Sequence, residues 1–285
     1  MWYKWGMLVR GVQFSPTLGN VERNLGHHRR QIAAAVKDRI DLIVFPELSL
    51  CGYQLRDIVH DVAFKRDSPE LKEIASLSRK IDIVVGAPIE EPDGLIANAA
   101  LYYSAGRLVH LHRKVQLPNY GMFEEKMIFK AGDRFQSFTA RGRRIGLLIC
   151  REILFPIHAY LYFLQHTDLL IAISNSPHRG ITASGFASHA LWETMGIVYS
   201  QNFHQDYVFV NRVGFEDGIG FAGGSFFAAA GQGIVSQARY AEAETIDHEF
   251  KAGDVRRARI SSNYLRDEHP QLIMNELKRI CDAGN

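Results

Sequence analysis

Ile145-Gly-Leu-Leu-Ile-Cys150-Arg-Glu-Ile-Leu-Phe-Pro156 runs from an apolar stretch into one cysteine, two charged residues and an apolar segment ending in proline. Residues 145–149 read as a buried strand: short, apolar and preceded by Arg143-Arg144. Pro156 suits a first helical position, where its ring presets φ and its missing N–H would be unpaired anyway. Cys150 is therefore expected where a strand ends and the chain bends, a place where open α/β sheets gather ligand-contacting groups. A lone cysteine beside a buried strand is more often a small apolar filler. The rest of the chain has to decide between the two readings.

The same alternation extends outward from this stretch. Residues 7–14 read as a strand, and Asn20 as the cap of a helix whose Val21, Leu25, Ile32 and Val36 share one face. Leu42-Ile-Val-Phe45 is a compact strand running into Pro46-Glu47. Ser68-Pro69 opens a second helix with Ile74, Leu77 and Ile81 inward, and Ile83-Val-Val85 is the next strand. Ser104-Ala-Gly106-Arg107 and Gly231-Gln-Gly233 are hairpin signals. Residues 113–130 form a long irregular stretch dense in polar and aromatic residues, and such loops are usually functional. Beyond Pro156 the pattern predicts a helix to 165, a strand over 169–174 ending at Asn175, a helix over 186–201, a strand over 207–213 and a last helix near 271–281. Helices alternating with strands, plus hairpins, predict an α/β fold with mixed sheets, arranged as one domain over residues 1–285.

The 285 residues are 47% hydrophobic and 22% charged, an ordinary globular composition. A chain of this size buries roughly 75% of its unfolded surface and needs no metal or disulfide for stability. A formal charge of +2 gives no case for a nucleic-acid or membrane partner. The basic clusters His27-His28-Arg29-Arg30 and Arg141-Gly-Arg143-Arg144 read as solvated surface. Cys51, Cys150 and Cys281 form no closed disulfide set and no pair has zinc-site spacing. Residues 1–10 lack the apolar core of a signal peptide, and no apolar run approaches the ~20 residues of a membrane span. A reducing, cytoplasmic setting is expected, where a thiol can stay free.

Glu47, Lys114 and Cys150 each lie at or just past the C-terminal end of a predicted strand. Singly, they read as a turn cap, a solvated amine and a core filler. Together, a carboxylate, an ammonium and a thiol suffice for covalent acyl transfer: the acid takes the thiol proton, and the amine steadies the anion that forms.

The words around them carry more. Phe45-Pro46-Glu47-Leu48-Ser49-Leu50-Cys51-Gly52-Tyr53, His112-Arg113-Lys114-Val-Gln-Leu-Pro118-Asn119-Tyr120-Gly121-Met-Phe123-Glu124-Glu125 and Gly146-Leu147-Leu148-Ile149-Cys150 with Phe155-Pro156 resemble, in order and separation, the three signatures of the nitrilase superfamily of carbon–nitrogen hydrolases. Asn175-Ser176-Pro177 and Gly223-Gly224-Ser225-Phe226 also look familiar. The second signature is most similar to the glutaminase domains of glutamine-dependent NAD synthetases. No Ser-Gly-Gly-x-Asp-Ser loop of a synthetase half is present, which implies a stand-alone hydrolase.

The resemblance implies a four-layer α-β-β-α sandwich, no metal or organic cofactor, and a homodimer or larger homo-oligomer. It implies hydrolysis of an amide to an acid and ammonia. Cys150 would be the nucleophile, Glu47 the general base, Lys114 the oxyanion stabiliser with the backbone N–H of Arg151, and Glu125 a second acid positioning lysine and substrate. Tyr120 and Phe123 would line the pocket, Asn175 and Ser176 its rim, and Tyr53 would pack behind Glu47. A glutaminase subunit feeding ammonia to a separate synthetase, a nitrile or N-carbamoyl hydrolase, and a binding module without turnover are the alternatives. Arg151-Glu152 departs from the family, which usually has Glu or Tyr and then Asp after the cysteine. Arg151 is expected to pair with Glu152, with binding of an anionic substrate group or thiolate stabilisation as the other readings. His158, His178 and His204 read as surface or packing residues.

Overall fold

Alternate residues of the central strands face two different cores, and that period of two builds the architecture. The structure, a computed structural model, describes residues 6–178, 181–182, 185–251 and 253–283. In the first sheet β1 (Met7–Gln13), β2 (Leu42–Val44) and β3 (Asp82–Glu90) run parallel, joined by α1 (Val21–Lys37) and α2 (Pro69–Leu77). β4 (Ile96–Ser104) and β5 (Arg107–Arg113) continue antiparallel through a two-residue turn at Ala105-Gly106, both with positive φ.

The second sheet repeats the plan. β6 (Phe138–Ala140) lies antiparallel to β7 (Arg143–Ile149). β7, β8 (Leu169–Ser174) and β9 (Asp206–Asn211) run parallel, joined by α3 (Pro156–Leu164) and α4 (Ala187–Gln201). β10 (Phe226–Ala229) and β11 (Gly233–Gln237) close the far edge, and β12 (Glu244–Phe250) returns to pair with β1. The strand orders are therefore 12-1-2-3-4-5 and 11-10-9-8-7-6. A helix Pro270–Ala283 lies near the C-terminal end of the described chain.

Ile43, Ile83, Val85 and Leu101 pack against Leu25, Ile32, Leu71 and Ile74 of α1 and α2. Their neighbours Leu42, Val44, Val84 and Tyr102 face the other way and join Leu148, Val208 and Phe227 between the sheets. That core continues to Tyr162 of α3 and to Trp192 and Tyr199 of α4. The result is the expected four-layer α-β-β-α sandwich. Each fully buried aliphatic side chain contributes about 1.5–3 kcal/mol to holding the layers together. Asn20 caps α1 by accepting the Arg23 N–H at 3.0 Å, and proline opens both α2 and α3. No helix among the described residues is long and apolar enough to cross a membrane.

The two basic clusters are not simply solvated. In β7, Arg143 and Arg144 point to opposite faces, and Arg143 turns inward to Asp206 at 2.6 Å and the Phe250 carbonyl at 3.0 Å. His28 lies on the inner face of α1, its ring bonded to the Asn24 carbonyl at 2.8 Å and Ser49 Oγ at 3.0 Å.

Gly86 of β3 lies against the loop that carries Glu47. A Cβ there would meet the Leu48 nitrogen at 2.3 Å and the Glu47 carbonyl carbon at 2.7 Å, both backbone atoms. Gly86→Ala is expected to cost about 1–3 kcal/mol in urea unfolding and to displace Glu47. An unchanged midpoint would show that this loop has room the geometry denies.

Candidate active site

Three strand ends converge on one buried ammonium. Lys114 directly follows β5, and its Nζ donates to Glu47 Oε1 at 2.7 Å and to Glu125 Oε1 at 2.8 Å. Lys114 and Glu47 have no solvent exposure, and Glu125 has 3%. Glu47, three residues beyond β2, also accepts the Asn98 Nδ2 amide at 2.7 Å and the Asn175 backbone N–H at 2.8 Å. Asn175 Nδ2 returns to the Glu47 carbonyl at 2.8 Å. Glu125 opens a single helical turn, Glu125–Ile128, tied by its N–H to the Pro118 carbonyl at 3.1 Å. Tyr53 donates its hydroxyl to Glu125 Oε1 at 2.7 Å, so it packs behind Glu125 rather than Glu47.

Tyr53 has its own anchor. Glu216 Oε1 accepts the backbone N–H groups of Tyr53 and Gln54, both at 2.7 Å. Its other oxygen holds Arg212, fully buried, at 2.6 Å.

Cys150 follows β7 with φ of +47° in a five-residue 3-10 turn, Cys150–Leu154. A non-glycine residue in that region costs about 1–3 kcal/mol and persists only where its surroundings fix it. Glu152 does the fixing. Its oxygens take the N–H of Ile149 at 2.7 Å, the N–H of Val115 at 2.5 Å and the ring of His112 at 2.8 Å. Glu152 thus ties the cysteine turn to the segment carrying Lys114. The expected Arg151–Glu152 pair does not form. Glu152 is fully buried with both oxygens occupied, and Arg151 turns outward to donate from Nη1 to the Tyr120 hydroxyl at 2.5 Å.

A cavity of about 240 Å³ opens over the cysteine. Cys150, Arg151, Tyr120, Phe123 and Ser176 line it with Pro118, Leu154, Pro177, Leu191 and Trp192. Asn175 is fully buried beneath, on Glu47. Ser176 is fixed by donating its N–H to Asn211 Oδ1 at 2.9 Å. His158 stacks on Phe135 and bonds the Glu152 carbonyl, His204 stacks on Tyr264, and His178 packs against Gly220. None of the three histidines lines the cavity among the described residues. Sequence reasoning missed Asn98, Asn211 and the Arg212–Glu216 pair. Only Asn98 carried a signal, as the one polar residue inside Ile96-Ala-Asn-Ala-Ala-Leu101.

Burial opposes charge on Lys114, but Glu125 and Glu47 together outweigh it and hold the amine above its ordinary range. Burial pushes the Glu125 carboxyl up, against Lys114 and with help from Glu47. Burial also pushes the Cys150 thiol up to about 12, Glu47 adding to the rise and Lys114 opposing it. A thiol so placed reacts only when a neighbouring base takes its proton. The arrangement offers that base, a fixed cation and a sulfur at the floor of an apolar cleft.

Residues 8–260 match the sequence profile of the carbon–nitrogen hydrolases, and the chain belongs to that family. It is 29% identical over 238 residues to a glutamine-dependent NAD(+) synthetase of Thermotoga maritima, covering 82% of this chain and 40% of that protein. The chain therefore spans about two-fifths of that relative's length. The structure of the glutamine-dependent NAD+ synthetase from Acinetobacter baumannii superposes with a TM-score of 0.76 at 27% identity, over 86% of this chain and 46% of the other. A carbon–nitrogen hydrolase from Helicobacter pylori superposes with a TM-score of 0.86 at 21% identity, over 96% and 98%. The last likeness shows the fold alone.

The direction of the thiol shift has a measurable consequence. Alkylation of Cys150 by iodoacetamide, read by peptide mapping, should still be accelerating at pH 10, where an ordinary thiol of pKa about 8.5 has levelled. Glu47→Gln removes a charge that raises the thiol along with the base that takes its proton, so the pH at which alkylation levels should fall in that variant. An unchanged pH profile would mean that Glu47 does not face the sulfur.

Proposed function

We propose that this protein hydrolyses a non-peptide C–N bond, converting an amide to a carboxylic acid and ammonia. Glu47 takes the Cys150 thiol proton as the sulfur attacks the carbonyl carbon. The tetrahedral oxyanion faces the Lys114 ammonium and the Arg151 N–H. Its collapse expels ammonia, which carries off the proton held by Glu47, and leaves a thioester. Glu47 then deprotonates water, which releases the acid and returns the proton to sulfur. Glu125, bonded to Lys114 and Tyr53, keeps the ammonium aimed. Tyr120, Phe123 and Ser176 shape the substrate's surroundings, and Asn175, buried beneath rather than at the rim, orients Glu47. We also propose that residues 1–285 work as one hydrolase domain, and that copies associate through the outer faces of α3 and α4, where Ile157, Leu161, Ile197 and Val198 are exposed.

The observation that carries this reading is the Glu47–Lys114–Glu125 bridge buried beside a cysteine that opens into the cavity. Ammonia release from a panel of amides, nitriles and carbamoyl compounds tests it. Cys150→Ala should abolish turnover of any substrate found, and Lys114→Met should lower kcat by about 10²–10³ or more. Retained turnover in Cys150→Ala would remove the mechanism.

A glutaminase that supplies ammonia to a separate synthetase is the second reading, favoured by the likeness to NAD synthetases at 29% identity. Glutamate should then be released from glutamine, faster when a candidate partner is added. No release under either condition would sink it.

A further inference from the structure

The interior arginines of this protein have carboxylates. Arg10 holds Asp247 and Asp38, Arg143 holds Asp206, and Arg212 holds Glu216. Arg151 is different. Its neighbour Glu152 is occupied elsewhere, and it has no carboxylate partner among the described residues. Its guanidinium sits over the Tyr120 ring at 4.5 Å and near the Phe155 ring at 5.5 Å. Nη1 is spent on the Tyr120 hydroxyl. The remaining N–H groups have no protein acceptor among the described residues.

Arg151 is also the one charged side chain among the described residues lining the cavity over Cys150. Leu154, Phe123 and Trp192, also in the lining, are apolar, so Arg151 is the charge that a molecule entering over Cys150 would meet. A stacked, planar guanidinium with free N–H groups is the geometry that takes a carboxylate through two parallel bonds. Among the described residues no carboxylate lines the cavity to receive an ammonium, and the nearby Glu47 and Glu125 are both held by Lys114.

We infer that Arg151 is the specificity residue, binding a carboxylate at the far end of the substrate, so that the preferred substrate is a short amide ending in a carboxylate and lacking a neighbouring ammonium. This rests on the hydrolase reading above for the chemistry at Cys150. It goes further in naming the charge of the group that enters with the amide.

Three amides of similar length separate the possibilities: glutaramate (carboxylate only), glutamine (carboxylate and ammonium) and butanamide (neither). Wild-type kcat/KM should be about 10- to 150-fold higher for glutaramate than for butanamide, the range of a hydrogen-bonded charge. Glutamine should fall below glutaramate. In Arg151→Gln the glutaramate-to-butanamide ratio should collapse toward one, and Arg151→Lys should recover part of it. A wild-type ratio near one, or a ratio that Arg151→Gln leaves unchanged, overturns the inference, as does glutamine outpacing glutaramate.

Binding is read separately from turnover. Glutarate, which has a carboxylate at each end, should raise the Tm of Cys150→Ala protein, and the added substitution Arg151→Gln should abolish the shift. A shift that needs Arg151, without turnover of any amide, would leave the carboxylate site standing and sink the hydrolase reading. Turnover without anion preference would do the opposite.

Discussion

A lysine ammonium held between two carboxylates, with almost no access to solvent, is the constraint on which the rest depends. Moving such ions from water is expensive, and their mutual attraction repays the loss only when geometry is close and the remaining bonds are made. Lys114 meets both conditions, at 2.7 Å from Glu47 and 2.8 Å from Glu125. Removing one partner of a buried pair typically costs about 3–5 kcal/mol, because a charge is left stranded. The backbone around the trio is built to prevent that. Gly86 lets β3 approach the Glu47 loop, Asn98 and Asn175 orient the acid, and Glu216 fixes the segment from which Tyr53 reaches Glu125.

The same economy explains the cysteine. Its turn is strained, and Glu152 compensates with three bonds that reach back to the strand before it and across to the lysine segment. The sulfur and the ammonium are therefore positioned by one shared carboxylate rather than by independent loops. The high pKa of the thiol then follows from its surroundings: a buried sulfur near acids, with one cation already committed to those acids.

Much of this was legible in the chain. The short apolar runs at residues 42–45 and 83–85 and the 3.6 period of α1 gave the strands and the helix, because local geometry sets those elements whatever the partner, while the four layers came with the resemblance of the three signatures. The strand ends at Glu47, Lys114 and Cys150 could be read for the same reason, and the structure brings them to one place. What could not be read depends on contacts between distant segments. Adjacency suggested that Arg151 pairs with Glu152, but the positive φ at Cys150 starts a tight turn that sends one side chain out and the other in. Arg143 and His28 looked like surface in a basic cluster, yet Asp206 and Ser49, far along the chain, give them buried partners. Asn98 stood out only as a polar residue in an apolar strand.

Glu47 and Lys114 ride on the first sheet, and Cys150 on the second. In the proposed reaction, the distance between acid and sulfur is therefore also the spacing between two slabs of the molecule. Side chains wedged between them, such as Val44, Val84 and Leu148, act as shims. Trimming one lets the slabs settle closer or shear, which would detune the proposed proton transfer while the fold survives, so tolerance to change in this seam is set by alignment before it is set by melting.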